Sequence, residues 1–263
     1  MKKYSLIHPP LLSFYSKDLY RDVGQNWKGI AALYLLLLLA FCWIFETWAV
    51  NAKISRFIAN EVPPFIEQIP AITIQDGNVS IDEPVPYFIN DPDSHDVIAI
   101  IDTSGQYNSL DNTDAYLLLT KNKLIGKESE TETRVYDLSQ IDEFFLDQAT
   151  ANKFLSIFKT YFPFVFYVCA VLFSFIYRLV QVLIYGAIGL MLCKIAKVSL
   201  DYQTLVRLAV IAVTPVVLID TVLEVTGFKV PVFWLIAFAI AMYYLYVGIS
   251  ANKDQSVSYN APL

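Results

Sequence analysis

Four long apolar runs constrain this chain more than any other feature of its sequence. They cover residues 29–50, 161–193, 205–227 and 230–249. A helix needs roughly 20 apolar residues to cross a hydrocarbon core about 30 Å thick. Because each run reaches that length, and because 56% of the whole chain is hydrophobic, we predict a helical membrane protein with four transmembrane helices.

The charged residues outside these runs predict which side of the membrane each segment faces. Segment 51–160 holds 18 Asp and Glu residues against 8 Lys and Arg residues. Lysine and arginine are instead frequent in segment 1–28 and in the loop 194–204, and Lys253 lies in the tail, 250–263. Since basic segments tend to remain in the cytoplasm, we expect both termini to be cytoplasmic and residues 51–160 to form an acidic extracytoplasmic domain.

Segment 1–28 contains a two-sided helical pattern before the first apolar run. Phe14, Leu19, Tyr20 and Val23 occur among charged residues at helical spacing. Such a pattern is typical of a helix that lies in the membrane surface with its apolar side in lipid. We predict an interfacial amphipathic helix here, and a binding surface for a cytosolic partner is the second interpretation.

The acidic segment predicts an α+β, β-rich domain inserted between the first two transmembrane helices. Alternating residues flank Asp76-Gly77, which is a strong signal of a two-residue hairpin. Ser139, with Asp142 three residues later, is predicted to cap a helix that leads into the second apolar run. Further strands are expected at 86–89, at 96–103, and within LLLTKNKLIG and TETRVYDLS.

Two loops of this domain are rich in carboxylates. DPDSHD (91–96) and DTSGQYNSLDNTD (102–114) could hold calcium, but neither has the spacing or the closing glutamate of an EF-hand. We therefore expect solvated turns. His8 and His95 are the only histidines and are far apart in sequence, which gives no support for a metal centre or a Ser-His-Asp triad.

The best candidates for a functional site are ionisable residues inside the apolar runs, because an unpaired charge in lipid is costly. Asp220 and Glu224 are four residues apart and therefore share one helix face. We predict that Arg178 pairs with Asp220 and that Gln181 extends this pair. Glu46 and Glu224 are expected to line a wetter vestibule above it.

The alternative interpretation of this polar cluster is purely structural. The Arg178–Asp220 pair would then be a buried ion pair that only stabilises the fold. In that case the carboxylates of Glu46 and Glu224 would extend towards water.

Other residues in the runs are interpreted as packing features. Pro215 is expected to interrupt its helix, and GAIG (186–189) should let another helix approach closely. Cys42, Cys169 and Cys193 all lie in apolar runs and are expected to be small packing residues. The acidic domain contains no cysteine, so a disulfide cannot stabilise it.

Three motifs, in their order, resemble a known bacterial family. They are NWKGIAALYLLLLLAFCWI, DGNVSIDEPVPYFI and IDTSGQYNSLDNTDAYLLLTKNKLI. The chain looks like the membrane-protein family catalogued as domain of unknown function 1189 from about Phe14 to about Ile249, and its membrane helices are distantly similar to those of Yip1-type proteins. The resemblance implies a protein of the bacterial cytoplasmic (inner) membrane. These motifs describe a scaffold and not a reaction, so the resemblance implies no catalytic residue.

These features favour a non-enzymatic role without cofactor or metal, since no nucleotide-binding or hydrolase motif is present. The first candidate function is an accessory or scaffold protein of the cell envelope or of a transporter. The alternative is a small lipid- or solute-binding or transport protein that uses the Arg178–Asp220 centre. Membrane lipids and other envelope or transporter proteins are the expected partners, and homo-oligomerisation is left open. Nucleic acid is not expected, because the chain has no basic stripe.

Overall fold

The structure, a computed structural model, describes residues 3–111, 113–129 and 132–253. The chain forms two compact units. The helical unit consists of Met1–Asn51 and Pro163–Leu263, and the β-rich unit consists of Ala52–Phe162. The helices in chain order are α1 (Pro9–Leu12), α2 (Lys17–Asn26), α3 (Ile30–Asn60), α4 (Pro63–Ile66), α5 (Gln148–Ala196), α6 (Tyr202–Ala212), α7 (Thr214–Thr226) and α8 (Phe233–Ala251).

Within the described residues, four helical segments are long and apolar enough to cross a membrane. They are α3, α5, α6 together with α7, and α8, as expected for a membrane protein. α3 and α5 are longer than the apolar runs 29–50 and 161–193. The difference arises because polar residues with good helix propensity continue a helix beyond the end of its apolar run.

α2 lies inside the helical unit. It begins after Ser16, whose hydroxyl accepts a hydrogen bond from the Leu19 backbone N–H. Leu19, Tyr20 and Val23 are fully buried in a core to which α6 and α8 also contribute. A helix was predicted here, and Leu19, Tyr20 and Val23 on its apolar side pack against the protein. The amphipathic pattern of α2 could not distinguish protein from lipid as the surroundings of this side.

Asp22 on α2 connects the N-terminal segment to this helix. Its carboxylate accepts hydrogen bonds from Lys3 N (2.9 Å), Tyr4 N (3.2 Å), Asn26 Nδ2 (2.8 Å) and Trp27 Nε1 (3.1 Å). Burial raises the pKa of Asp22, but these four hydrogen bonds outweigh burial and hold the pKa below its ordinary value. The ionised carboxylate therefore stabilises the path of the first residues.

Glycines allow helices to approach closely in the helical unit. A Cβ atom on Gly248 of α8 would lie 2.7 Å from Tyr20 Cδ1, and one on Gly186 of α5 would lie 2.8 Å from Val206 Cγ2. Both distances are shorter than van der Waals contact. The predicted close approach at GAIG (186–189) is thereby confirmed, and α6 is the helix that approaches.

The third apolar run is broken between α6 and α7 at Val213. Pro215 lies in the first turn of α7, where its missing N–H is tolerated, and the predicted interruption is confirmed. The Thr214 hydroxyl donates to Val210 O (3.3 Å) and is hydrogen-bonded to the Tyr34 hydroxyl (3.0 Å). Polar groups at the break therefore have partners within the protein, as a membrane helix requires.

The three cysteines are free thiols. Cys42 and Cys193 are buried, in agreement with a packing role, whereas Cys169 is exposed on α5. Cys169 does not pack inside the helical unit, so the predicted packing role is wrong for this residue.

The β-rich unit contains two sheets. Its strands are β1 (Ile72–Gln75), β2 (Asn78–Ile81), β3 (Tyr87–Asn90), β4 (Val97–Asp102), β5 (Leu117–Thr120), β6 (Lys123–Lys127), β7 (Thr133–Asp137) and β8 (Glu143–Leu146). One sheet has the order β2-β1-β8 and the other the order β3-β4-β5-β6-β7. All pairs are antiparallel except β4 with β5. The predicted strands are thus present in β1 to β7.

The predicted hairpin is confirmed at Asp76-Gly77. These two residues join β1 to β2 with φ values of 48° and 74°, which are typical of a type I′ turn. A Cβ atom on Gly77 would lie 2.6 Å from Ser139 Cα. Glycine is therefore required here both by the turn and by the neighbouring chain.

The helix predicted to begin at Ser139 is wrong. Residues 143–146 form β8 and pair with β1, and α5 begins after Asp147, whose carboxylate accepts a hydrogen bond from Thr150 N (2.7 Å). The serine and the later carboxylate match a capping pattern, but Phe144 and Phe145 favour a strand. Residues 143–146 form a strand because they pair with β1, which lies more than 60 residues earlier in the chain. A pattern in the local sequence cannot indicate such a pairing.

The solvated turn predicted at residues 102–114 is wrong at Asp102, which is fully buried at the end of β4. Its carboxylate accepts hydrogen bonds from Ser104 N (2.8 Å), Ser104 Oγ (2.5 Å) and Tyr107 N (2.6 Å). Burial raises the pKa of Asp102, but these bonds lower it below its ordinary value. Through these hydrogen bonds the Asp102 carboxylate fixes the start of the loop. Asn112 of the same loop lies outside the described residues.

Candidate functional site

The candidate site begins with one face of α5. Arg178 Nη1 donates to Gln181 Oε1 (2.7 Å), and Gln181 Nε2 donates to the Tyr185 hydroxyl (2.9 Å). Residues three and four positions apart are neighbours on a helix surface, so this chain of hydrogen bonds follows from the spacing. The guanidinium carbon also lies 5.6 Å from the centre of the Tyr177 ring, within the range of a cation–π contact.

Asp220 on α7 provides the counter-charge. Its Oδ2 lies 3.5 Å from Arg178 Nη2, which is longer than the 2.7–2.9 Å of a close charge-assisted hydrogen bond. The Arg178 side chain is 12% exposed and the Asp220 side chain is 42% exposed. The two charged groups are therefore farther apart than in a close ion pair, and the Asp220 carboxylate remains accessible.

The other two predicted carboxylates have different surroundings. Glu46 on α3 accepts a hydrogen bond from the Thr221 hydroxyl (2.8 Å), so it is joined to the residue that follows Asp220. Glu224 is exposed one turn beyond Asp220. In the described part of the chain, neither carboxylate lies within 4.0 Å of a basic nitrogen of Arg178. The structure brings together Arg178, Gln181 and Asp220, and it leaves Glu46 and Glu224 at the edge.

A groove of about 370 Å³ opens beside the Arg178–Asp220 pair. Its apolar wall comes from α8 and includes Phe233, Trp234, Ala237 and Phe238. The Phe238 ring packs edge-on against Tyr185, with the ring centres 5.8 Å apart. The groove combines a few convergent polar groups with aromatic walls, which is the usual composition of a small-molecule site.

Sequence reasoning missed the contribution of α8 to this groove. Trp234 and Phe238 lie in an apolar run that holds many aromatic residues, so nothing in the pattern distinguishes them. Tyr185 had a usable signal, because it follows Gln181 by four residues and therefore lies on the same helix face. Thr221 could also have been singled out from the sequence, because it directly follows a carboxylate within an apolar run.

The chemistry available in the groove is polar recognition. Arg178 and Gln181 supply N–H donors, and Asp220 supplies an acceptor with one side open to the groove. Among the residues that the structure describes, no group of three or more His, Cys, Asp or Glu side chains could hold a metal ion. A ligand with both acceptor and donor groups would match this arrangement.

Comparisons with known proteins identify relatives of unknown function. An uncharacterised protein, RP489 of Rickettsia prowazekii (strain Madrid E), is 24% identical over 153 residues, which cover 54% of this chain and 53% of that relative. The match thus spans about half the length of the curated relative. No solved structure matches the chain. The profile described as "Protein of unknown function (DUF1189)" matches residues 11–249, and this protein therefore belongs to the DUF1189 family.

Proposed function

We propose that this protein is a non-enzymatic membrane protein that binds the polar part of a membrane lipid, or a small polar solute, in the groove beside Arg178. The helical unit would provide the binding site. The groove, and not the charges alone, favours this function over a purely structural ion pair.

The observation behind this proposal is the half-open ion pair. A charge pair that only stabilises a membrane fold gains most when both partners are enclosed and closely bonded. Here Asp220 is 42% exposed and lies 3.5 Å from its partner. Both groups therefore retain hydrogen-bonding capacity that a ligand in the groove could use.

The charge of the groove suggests the kind of ligand. The lining contains one guanidinium and one carboxylate, so a zwitterionic or neutral polar group fits better than a strongly charged one. A phosphoethanolamine headgroup is a suitable probe, because its phosphate would accept from Arg178 and its ammonium would donate to Asp220. Aromatic residues such as Trp234 would contact the less polar part of the lipid.

Native mass spectrometry of the purified full chain in detergent tests this function. Phosphatidylethanolamine is titrated against the native protein, against Arg178→Gln and against Lys229→Gln. Lys229 is an exposed cation between α7 and α8 that does not line the groove. We expect Arg178→Gln to bind the lipid at least fivefold more weakly and the Lys229 control to bind it normally. Equal binding by all three folded proteins would contradict the proposal.

The accessory role is the second candidate, and the exposed edge of β7 favours it. β7 forms the end of its sheet, all five of its residues are exposed, and Val135 and Tyr136 are 54% and 47% exposed. A free strand edge with apolar side chains is a surface on which another protein can add a strand. The same spectra, recorded after gentle extraction from native membranes, would then show a stoichiometric protein that is lost in Val135→Lys.

A further inference from the structure

We propose a second lipid site in the helical unit, at which Arg207 binds the phosphate of an anionic phospholipid. This site is separate from the Arg178 groove and does not depend on the proposed function. It is formed by the beginning of α3, the middle of α5 and the first turns of α6.

Arg207 has donors that the protein does not use. Its Nη2 donates to Gly24 O (3.0 Å) and to Thr204 Oγ1 (2.6 Å). Its Nε is buried and has no hydrogen-bond partner. Among the described residues, no carboxylate oxygen lies within 4.0 Å of the guanidinium. The buried Nε is out of reach of an external group, so an anion would bind the guanidinium through Nη1, which makes no hydrogen bond among the described residues.

Asp201, six residues before Arg207, uses its carboxylate to cap a helix. Asp201 caps α6, and it accepts hydrogen bonds from Thr204 N (3.0 Å) and Thr204 Oγ1 (2.5 Å). Burial raises the pKa of Asp201, but these bonds and the charge of Arg207 together lower it below its ordinary value. Arg207 therefore influences Asp201 through space, and its Nη1 makes no hydrogen bond among the described residues.

An apolar groove of about 280 Å³ leads to Arg207. Its walls include Ala32 of α3, Leu179 and Leu183 of α5, and Val206 of α6. These helices belong to segments that are apolar enough to cross a membrane. The space is suited to part of one acyl chain, since most of its lining residues are apolar and the guanidinium of Arg207 is among them.

Gly29 and Tyr202 also line the groove. Gly29 has a φ of 76°, and a Cβ atom built on it would meet no atom within 4 Å, so the chain leaves open space here. The Tyr202 hydroxyl donates to Leu183 O (3.0 Å), which fixes the Tyr202 ring at the groove.

Charge complementarity points to an anionic lipid as the occupant. Arg207 lines the groove, and Lys28 directly precedes Gly29, which also lines it. Anionic lipids are attracted to basic residues near the ends of membrane helices. A free phosphate would use Arg207 but would leave the apolar walls without a partner, so the two sources of phosphate can be distinguished.

A groove-filling substitution tests the site without touching Arg207. Ala32 is exposed and lines the groove, whereas its neighbour Leu33 is 50% exposed and does not line it. Phosphatidylglycerol is titrated against the full chain in detergent and measured by native mass spectrometry. We expect Ala32→Trp to bind at least fivefold more weakly than the native protein and the matched control Leu33→Trp to bind normally.

The headgroup is tested with a second set of probes. We expect the native protein to prefer phosphatidylglycerol to phosphatidylcholine at least fivefold, and we expect glycerol phosphate alone not to bind. Arg207→Gln should lose that preference. Equal binding of both lipids by the native protein, or unchanged phosphatidylglycerol binding in Ala32→Trp, would overturn the proposal. Phosphatidylglycerol binding by Ala32→Trp tests the lipid site even if Arg207→Gln does not fold.

Discussion

Two aspartates of the helical unit, Asp22 and Asp220, show how the same side chain can have opposite surroundings. Asp22 is 6% exposed and accepts four hydrogen bonds between 2.8 and 3.2 Å. The Asp220 side chain is 42% exposed, and its one ion pair within the described part of the chain is with Arg178, at 3.5 Å. The first carboxylate is saturated by the protein, whereas the second retains much of its capacity to accept hydrogen bonds.

This difference separates a stabilising carboxylate from one that is available to a ligand. The free energy gained from a buried polar group depends on whether its partners are present in the folded protein. Asp22 has all of its partners on neighbouring segments of the chain. Asp220 has fewer than a carboxylate can accept, so its replacement should affect binding more than folding.

Asp22→Ala should have the largest effect. It leaves Lys3 N, Tyr4 N and Trp27 Nε1 without their acceptor, and we expect a loss of about 3 kcal/mol in the free energy of unfolding. Chemical denaturation of the purified protein in detergent, followed by Trp fluorescence, would measure it. A loss below about 1 kcal/mol would show that Asp22 contributes no more to the free energy of unfolding than we expect of Asp220.

Acid should have the next largest effect. The pKa of Asp22 is lowered in the folded protein from its ordinary value of 3.8, so the ionised group stabilises the fold above that pH. This contribution is lost as the pH falls below about 4 and through the folded pKa. Asp22→Asn lacks this contribution, so the advantage of the native protein over the variant in unfolding temperature should shrink as the pH falls from 5 to 3. A constant difference across that range would contradict the assignment.

Asp220→Asn should have the smallest effect on folding. The substitution retains the shape of a half-exposed side chain and removes one loose ion pair, so the free energy of unfolding should change by less than about 1 kcal/mol. Lipid binding at the groove should nevertheless weaken. Denaturation and the phosphatidylethanolamine titration, made on the same preparation, test both parts. A large loss of stability with unchanged binding would favour the structural interpretation of the pair.

Much of the fold could be predicted because its signals are local. The four apolar runs, the turn at Asp76-Gly77 and the interruption at Pro215 each depend on residues within one short segment. The burial of α2 and the pairing of β8 with β1 depend on contacts between distant parts of the chain. Such contacts cannot be read from a single sequence, and the helix predicted from Ser139 was therefore wrong.

The candidate site shows the same division. Arg178 and Asp220 could be singled out because charges are rare in apolar runs. The depth of burial of each, the aromatic wall from α8 and the free donors of Arg207 could not. Arg207 lies near the beginning of an apolar run, where a basic residue is common, and only its unpartnered Nε distinguishes it.

The contacts of Asp22 also have an evolutionary consequence. Lys3 and Tyr4 bind this carboxylate through backbone N–H groups, which every amino acid except proline provides. Selection can therefore preserve the attachment of the N-terminal segment while allowing the side chains at positions 3 and 4 to drift. In relatives that share this attachment, we expect an acidic residue at the position of Asp22, preceded by an N-terminal segment of variable sequence that avoids proline at these two positions.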